Sequence, residues 1–154
     1  MIHKKALVPE RVRTIQGSFA YIEHRFLRDG FFSALSHHEL LLYFFLVLVS
    51  DRHGLSFYAY DKICSLLQID LDDYLKARNQ LIQKDLIAFD GSIFQVLSLP
   101  DRPEGASSSI LKTQTDMERR DPATIHHICR QAFEKKHDYL SSTQKPSFGR
   151  REDR

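Results

Sequence analysis

The chain contains no tryptophan, only two cysteines, and few glycines and prolines, six and five among 154 residues. Cys64 and Cys129 form neither a CxxC pair nor a disulfide framework, which fits thiols kept reduced in a cytoplasm. The longest unbroken apolar run, Leu40 to Val49, is ten residues, about half of what a bilayer span requires. Met1-Ile-His-Lys-Lys-Ala-Leu-Val-Pro9 has charge but lacks the apolar centre of a secretory signal, so a soluble cytoplasmic protein with no membrane partner is expected. Also missing are a Gly-rich phosphate loop, GxSxG and HExxH; no catalytic residue, cofactor or small-molecule ligand is assigned, and the expectation is a protein that is not an enzyme. His126 and Cys129 stand i, i+3, half of a metal site. Zinc needs four ligands, or three with an open position, and no second half-site exists, so no metal is expected. His37 and His38 read as surface polar residues in a first helical turn.

Hydrophobic residues make up 42% and charged residues 27%, enough apolar mass for one packed domain with appendages. The net charge of +2 hides an uneven distribution. Residues 1–30 carry six basic and three acidic side chains, 31–100 five and eight, and 101–154 eleven and nine. An acidic apolar middle between basic flanks suits contact with a polyanion backbone, as it also suits solvated tails.

Residues 1–17, with Pro9 and Gly17 and no sustained period, read as a basic arm. From Ser18, the spacing of Ile22, Phe26 and Leu27 predicts a short helix ending at Gly30. Ser36-His-His-Glu39 is a capping box opening an apolar helix to about Ser50, stopped by Asp51-Arg-His-Gly54. Leu55-Ser-Phe-Tyr-Ala predicts a short strand. A helix over about 60–67 follows, with Ile63, Leu66 and Leu67 inward. Asp70 caps a third helix running to about Lys84, with Asp72 and Asp73 in its first turn and Leu71, Tyr74, Leu75, Leu81 and Ile82 inward. Two strands around Asp90-Gly91 read as a hairpin with a type I′ turn centred on that pair. Residues 101–120, with Pro103 and Ser107-Ser-Ser, read as a linker. Asp121-Pro122 opens an amphipathic helix over 121–140 whose Ile125, Ile128, Cys129, Ala132, Phe133 and Leu140 must dock on something. Residues 141–154 read as a disordered basic tail.

Helix, strand, helix, turn, helix, hairpin is the order of a winged helix-turn-helix domain. Leu35-Ser36 with its helix, Asp51-Arg-His-Gly-Leu-Ser-Phe-Tyr, Tyr60-Asp-Lys-Ile-Cys-Ser-Leu-Leu, Ala77 to Leu81 and Lys84-Asp-Leu-Ile resemble bacterial winged-helix DNA-binding proteins. The nearest likeness is to helix-turn-helix modules of plasmid replication initiators, primosomal loaders and mobile-element accessory proteins. The resemblance covers residues 18–100 and implies a mainly α fold: a three-helix core plus a short antiparallel sheet, here with an extra C-terminal amphipathic helix.

In that family the third helix enters the major groove of double-stranded DNA. Carried over by position, Asn79, Gln80 and Gln83 become base readers through their paired amide donor and acceptor. Lys76, Arg78 and Lys84 become phosphate contacts, with Arg78 alternatively a reader or a clamp onto the second helix. Lys4, Lys5, Arg11 and Arg13 add phosphate contacts from the arm. The resemblance thus implies sequence-specific DNA binding, by a transcriptional regulator or a replication or mobile-element accessory factor. Asp72 and Asp73 depart from the pattern, since they repel phosphate, and the Asp90-Gly91 turn leaves almost no wing. These departures favour the alternative of a winged-helix protein-interaction adaptor without base readout. A homodimer through the apolar first core helix or the C-terminal helix is a further expectation.

Overall fold

The computed structural model describes residues 4–103 and 114–142, with side chains placed over 4–103 and 117–135. Among the described residues the protein is mainly helical, with six α-helices and one three-stranded antiparallel sheet. The helices are α1 (Arg25–Arg28), α2 (His37–Val49), α3 (Tyr60–Leu67), α4 (Leu71–Gln83), α5 (Gln114–Arg120) and α6 (Pro122–Ser142). The strands are β1 (Leu55–Phe57), β2 (Ile87–Phe89) and β3 (Ile93–Val96), in the order β1-β3-β2. No helix among the described residues is long and apolar enough to cross a membrane.

The Ser36 capping box forms as its sequence dictates. The Ser36 hydroxyl accepts from the Glu39 N–H, and the Glu39 carboxylate accepts from the Ser36 N–H. The helix so started, α2, packs on α4 and β3 and buries Leu42, Tyr43, Leu46 and Val47, while Leu41 and Leu48 stay exposed. Phe26, Phe31, Tyr43 and Phe44 form an aromatic cluster at one end of the core, with Phe26 and Tyr43 stacked at 5.0 Å. Ile63, Tyr74, Leu81, Leu86 and Phe94 fill the centre. In α3, Ile63 is buried and Leu67 packs against the core, but Leu66 is exposed rather than inward.

A three-residue corner joins α3 to α4. Gln68 takes the left-handed conformation (φ 54°), its N–H and that of Ile69 both reach the Cys64 carbonyl, and Asp70 caps α4 by accepting from the Asp73 N–H at 2.8 Å. The sheet then closes the core. Phe94 pairs with Phe89 on β2 and with Ser56 on β1, and the Phe89 and Phe94 rings stack at 4.3 Å. Gly54 precedes β1 at φ +79°, where a Cβ would lie 2.5 Å from the Val96 carbonyl oxygen; only glycine allows the two strands to approach so closely.

Four further expectations need correction. The helix read from Ser18 is confined to Arg25–Arg28. Phe26 alone of its apolar set is buried, Ile22 and Leu27 being exposed, so residues 18–24 have no packed face to sustain a helix. The hairpin turn is centred on Gly91-Ser92, not Asp90-Gly91. Pairing of Phe89 with Phe94 places Asp90 opposite Ile93, and the Asp90 carboxylate accepts from the N–H groups of Ser92 and Ile93. Those backbone donors also hold its pKa below the usual carboxylate range. Aspartate here shapes the turn from its flank, and only Gly91 needs positive φ.

The stretch read as a linker holds α5 in its last third, with Met117 packed on the core; residues 104–113, with the serine run, lie outside the described residues, as do residues 143–154 of the tail. The fourth correction concerns the amphipathic helix. It forms, as α6, but its apolar stripe does not dock: Ile125, Ile128 and Phe133 are exposed, as are Cys129 and Ala132. Leu140 lies outside the described side chains.

Candidate functional site

The outward surface of α4 follows from its own periodicity. Tyr74, Leu75, Ala77, Arg78, Leu81 and Ile82 are buried, which leaves Asp72, Lys76, Asn79 and Gln83 exposed and Gln80 half-buried on the remaining face. Lys76, Gln80 and Gln83 make no side-chain hydrogen bond or ion pair with another described residue, so a charge and two amide groups point outward together. Asn79 is committed differently, because its Oδ1 accepts from Nε and a terminal nitrogen of Arg78 at 3.3 and 3.1 Å. Its amide NH₂ stays available, but the acceptor half of a bidentate adenine contact is already used.

Arg78 overturns the expectation of a phosphate contact. Its side chain has no exposed surface. Its guanidinium donates to Asp121 at 2.5 Å and to Thr124 at 3.2 Å, and lies over the rings of Tyr74 and Phe89. It clamps α4 not to the second core helix but to the start of α6. Asp121 in turn caps α6, accepting from the N–H and hydroxyl of Thr124. Lys84 is also turned inward: its ammonium donates to Glu39 at 2.5 Å and to the Ala34 carbonyl at 2.8 Å. The same Glu39 that caps α2 thereby ties α2 to the end of α4, so Lys84 is withdrawn from phosphate as well.

The acidic start of α4 does not stand bare. Asp72 lies 2.7 Å from Arg130 and 2.9 Å from His127, both on α6, and Asp73 lies 3.5 Å from His38 on α2. Thus α6 runs beside α4 at the flank that carries Asp72 and Arg78, with Thr124, His127 and Arg130 turned to those two side chains. His126 on the same helix reaches the Tyr60 hydroxyl at the start of α3, Nδ1 to oxygen 3.1 Å. The Asp72 contact has only a weak local signal in the sequence, the i, i+3 spacing of His127 and Arg130 beside a stronger apolar stripe, and the His126–Tyr60 contact has none.

Lys4, Lys5, Arg11 and Arg13 are all exposed, with one 3-10 turn at Pro9–Arg11. Farther on, Arg25 fixes the arm's base by donating to the carbonyls of Leu99 and Pro100. Among the described residues no group of three or more His, Cys, Asp or Glu side chains is placed to hold a metal ion. Comparison of the chain with protein-family models, curated proteins and solved structures found no match.

Proposed function

We propose that the protein is a winged helix-turn-helix protein that binds double-stranded DNA, with the outward face of α4 in the major groove and the basic arm on neighbouring phosphates. The observation that carries this reading is the free, outward trio Lys76, Gln80 and Gln83 behind a tight α3–α4 corner. Amides of this kind read base edges, and a lysine beside them contacts phosphate. The ion pair of Asp72 with Arg130 supports it, since it offsets one of the two carboxylates that would otherwise repel the backbone. The order of helices and strands agrees with such a module. A small bacterial regulator, or an accessory factor of a replicon or mobile element, is the role that this chemistry suits.

The test is direct. On a selected duplex site, Gln80→Ala or Gln83→Ala should cost about 1–3 kcal/mol while leaving random DNA nearly unaffected. Lys76→Ala should weaken both and reduce the salt slope by about one unit. Binding unchanged in all three variants would remove α4 as the reading element. The alternative, a protein-interaction adaptor, draws on the exposed Ile125, Ile128 and Phe133 of α6. An adaptor would show no steep loss of duplex affinity with salt.

A further inference from the structure

With Arg78 and Lys84 turned inward, the body of the protein has fewer phosphate contacts than its sequence promised. Arg25, Arg28 and Arg130 are spent on carboxylates as well. Two cations that remain are adjacent: Arg119 and Arg120, the last residues of α5, are exposed and make no ion pair among the described residues. Their backbone is held at three points. Met117 packs on the core on one side, and the buried Asp121 is bonded to Arg78 on the other. The Arg120 backbone itself lies against the hairpin turn, where a Cβ on Gly91 would come within 3.1 Å of the Arg120 carbonyl oxygen. The turn contributes no cation of its own, being Asp90-Gly91-Ser92.

We propose that Arg119 and Arg120 form a second phosphate clamp, set beside the β2–β3 turn and gripping the sugar–phosphate backbone of the same DNA that α4 reads. The inference rests on the DNA-binding reading above. Charge complementarity names the occupant: two exposed guanidinium forks with no ion pair among the described residues match phosphodiester oxygens in bidentate fashion. The pinned backbone keeps the pair at a fixed place relative to α4, through the Arg78–Asp121 bond, so the clamp and the reading helix engage one duplex in a single register. Gly91 acts as a positioning residue, since any side chain there, at φ +102°, would push α5 away from the turn.

The experiment is a salt titration of binding to a fluorescent duplex by the full chain, comparing the parent with Arg119→Ala/Arg120→Ala, Arg119→Lys/Arg120→Lys and Lys76→Ala. Circular dichroism should show all three variants folded, because the altered side chains are exposed. Loss of two phosphate contacts should lower the slope of log K against log salt by about 1.8. The lysine pair should keep the parent slope, with affinity between those of the parent and the alanine pair. A parent-like slope in the alanine pair, alongside a slope reduced by Lys76→Ala, overturns the clamp and leaves the α4 reading standing. A parent that shows no salt-dependent duplex binding overturns both.

Discussion

A guanidinium with no exposed surface must find every partner inside the protein, and Arg78 finds them in Asn79, Thr124 and Asp121, with two aromatic rings beneath it. Arg78→Ala would leave Asp121 as a buried carboxylate without a counter-charge, at a cost of about 3–5 kcal/mol. Urea unfolding should register this as a large drop in midpoint. Arg78→Lys should recover only part of it, because an ammonium cannot reach three separated acceptors at once. Two buried phenols set the alkaline limit. Burial pushes both Tyr43 and Tyr74 up from 10.0 to about 12. A folded pKa above the unfolded one means that the unfolded chain loses its protons first, so this contribution is intact below pH 10 and lost between pH 10 and 12. Each tyrosine can account for roughly 2–3 kcal/mol across that window. Chemical denaturation at stepped pH should show the fall, reduced in Tyr43→Phe and Tyr74→Phe.

At the scale of elements, Ser36 with Glu39, Asp70 with its helix, and the 60–67 span were all readable in the sequence, because capping and periodicity are local effects. The orientation of α6 was not. Apolar spacing nominated Ile125, Ile128 and Phe133 for the buried side, yet Asp121, His127 and Arg130 have partners 43 to 58 residues away in sequence. No local pattern encodes such pairings. For the same reason Lys76, Gln80 and Gln83 could be placed on the open face of α4, whereas the inward turn of Lys84 and the helix that Arg78 clamps could not be foreseen. Reversing the charge at Arg130 tests what orients α6. Arg130→Glu should loosen the helix, seen as faster amide exchange over 123–131, and Asp72→Arg added to it should slow exchange again. The pair is half exposed, so the effect should be about 1 kcal/mol or less. In the core of the body, Leu46→Asp or Phe94→Asp places an unpaired charge at a site with no exposed surface and should abolish cooperative unfolding.

For the whole molecule, the unit centred on residues 18–100 includes Asp121 and Ala123 in its interior, at 2% and 0% exposed. A chain cut after Pro100 therefore keeps all three strands and α1 to α4 but loses the partner of Arg78. Its midpoint in urea should fall well below that of the full chain, and supplying residues 114–142 as a separate peptide should restore part of the difference. A truncated form as stable as the parent would show that Arg78 finds solvent or another partner once α6 is gone. The position of Asp121 also orders events in time. Synthesis runs from the N-terminus, so residue 78 is made long before residue 121, and the body cannot neutralise its central charge until the later segment leaves the ribosome. A chain released before Asp121 is made should therefore carry Arg78 as an unpaired cation and be cut by proteases faster than the full chain, which limited proteolysis of the two would show.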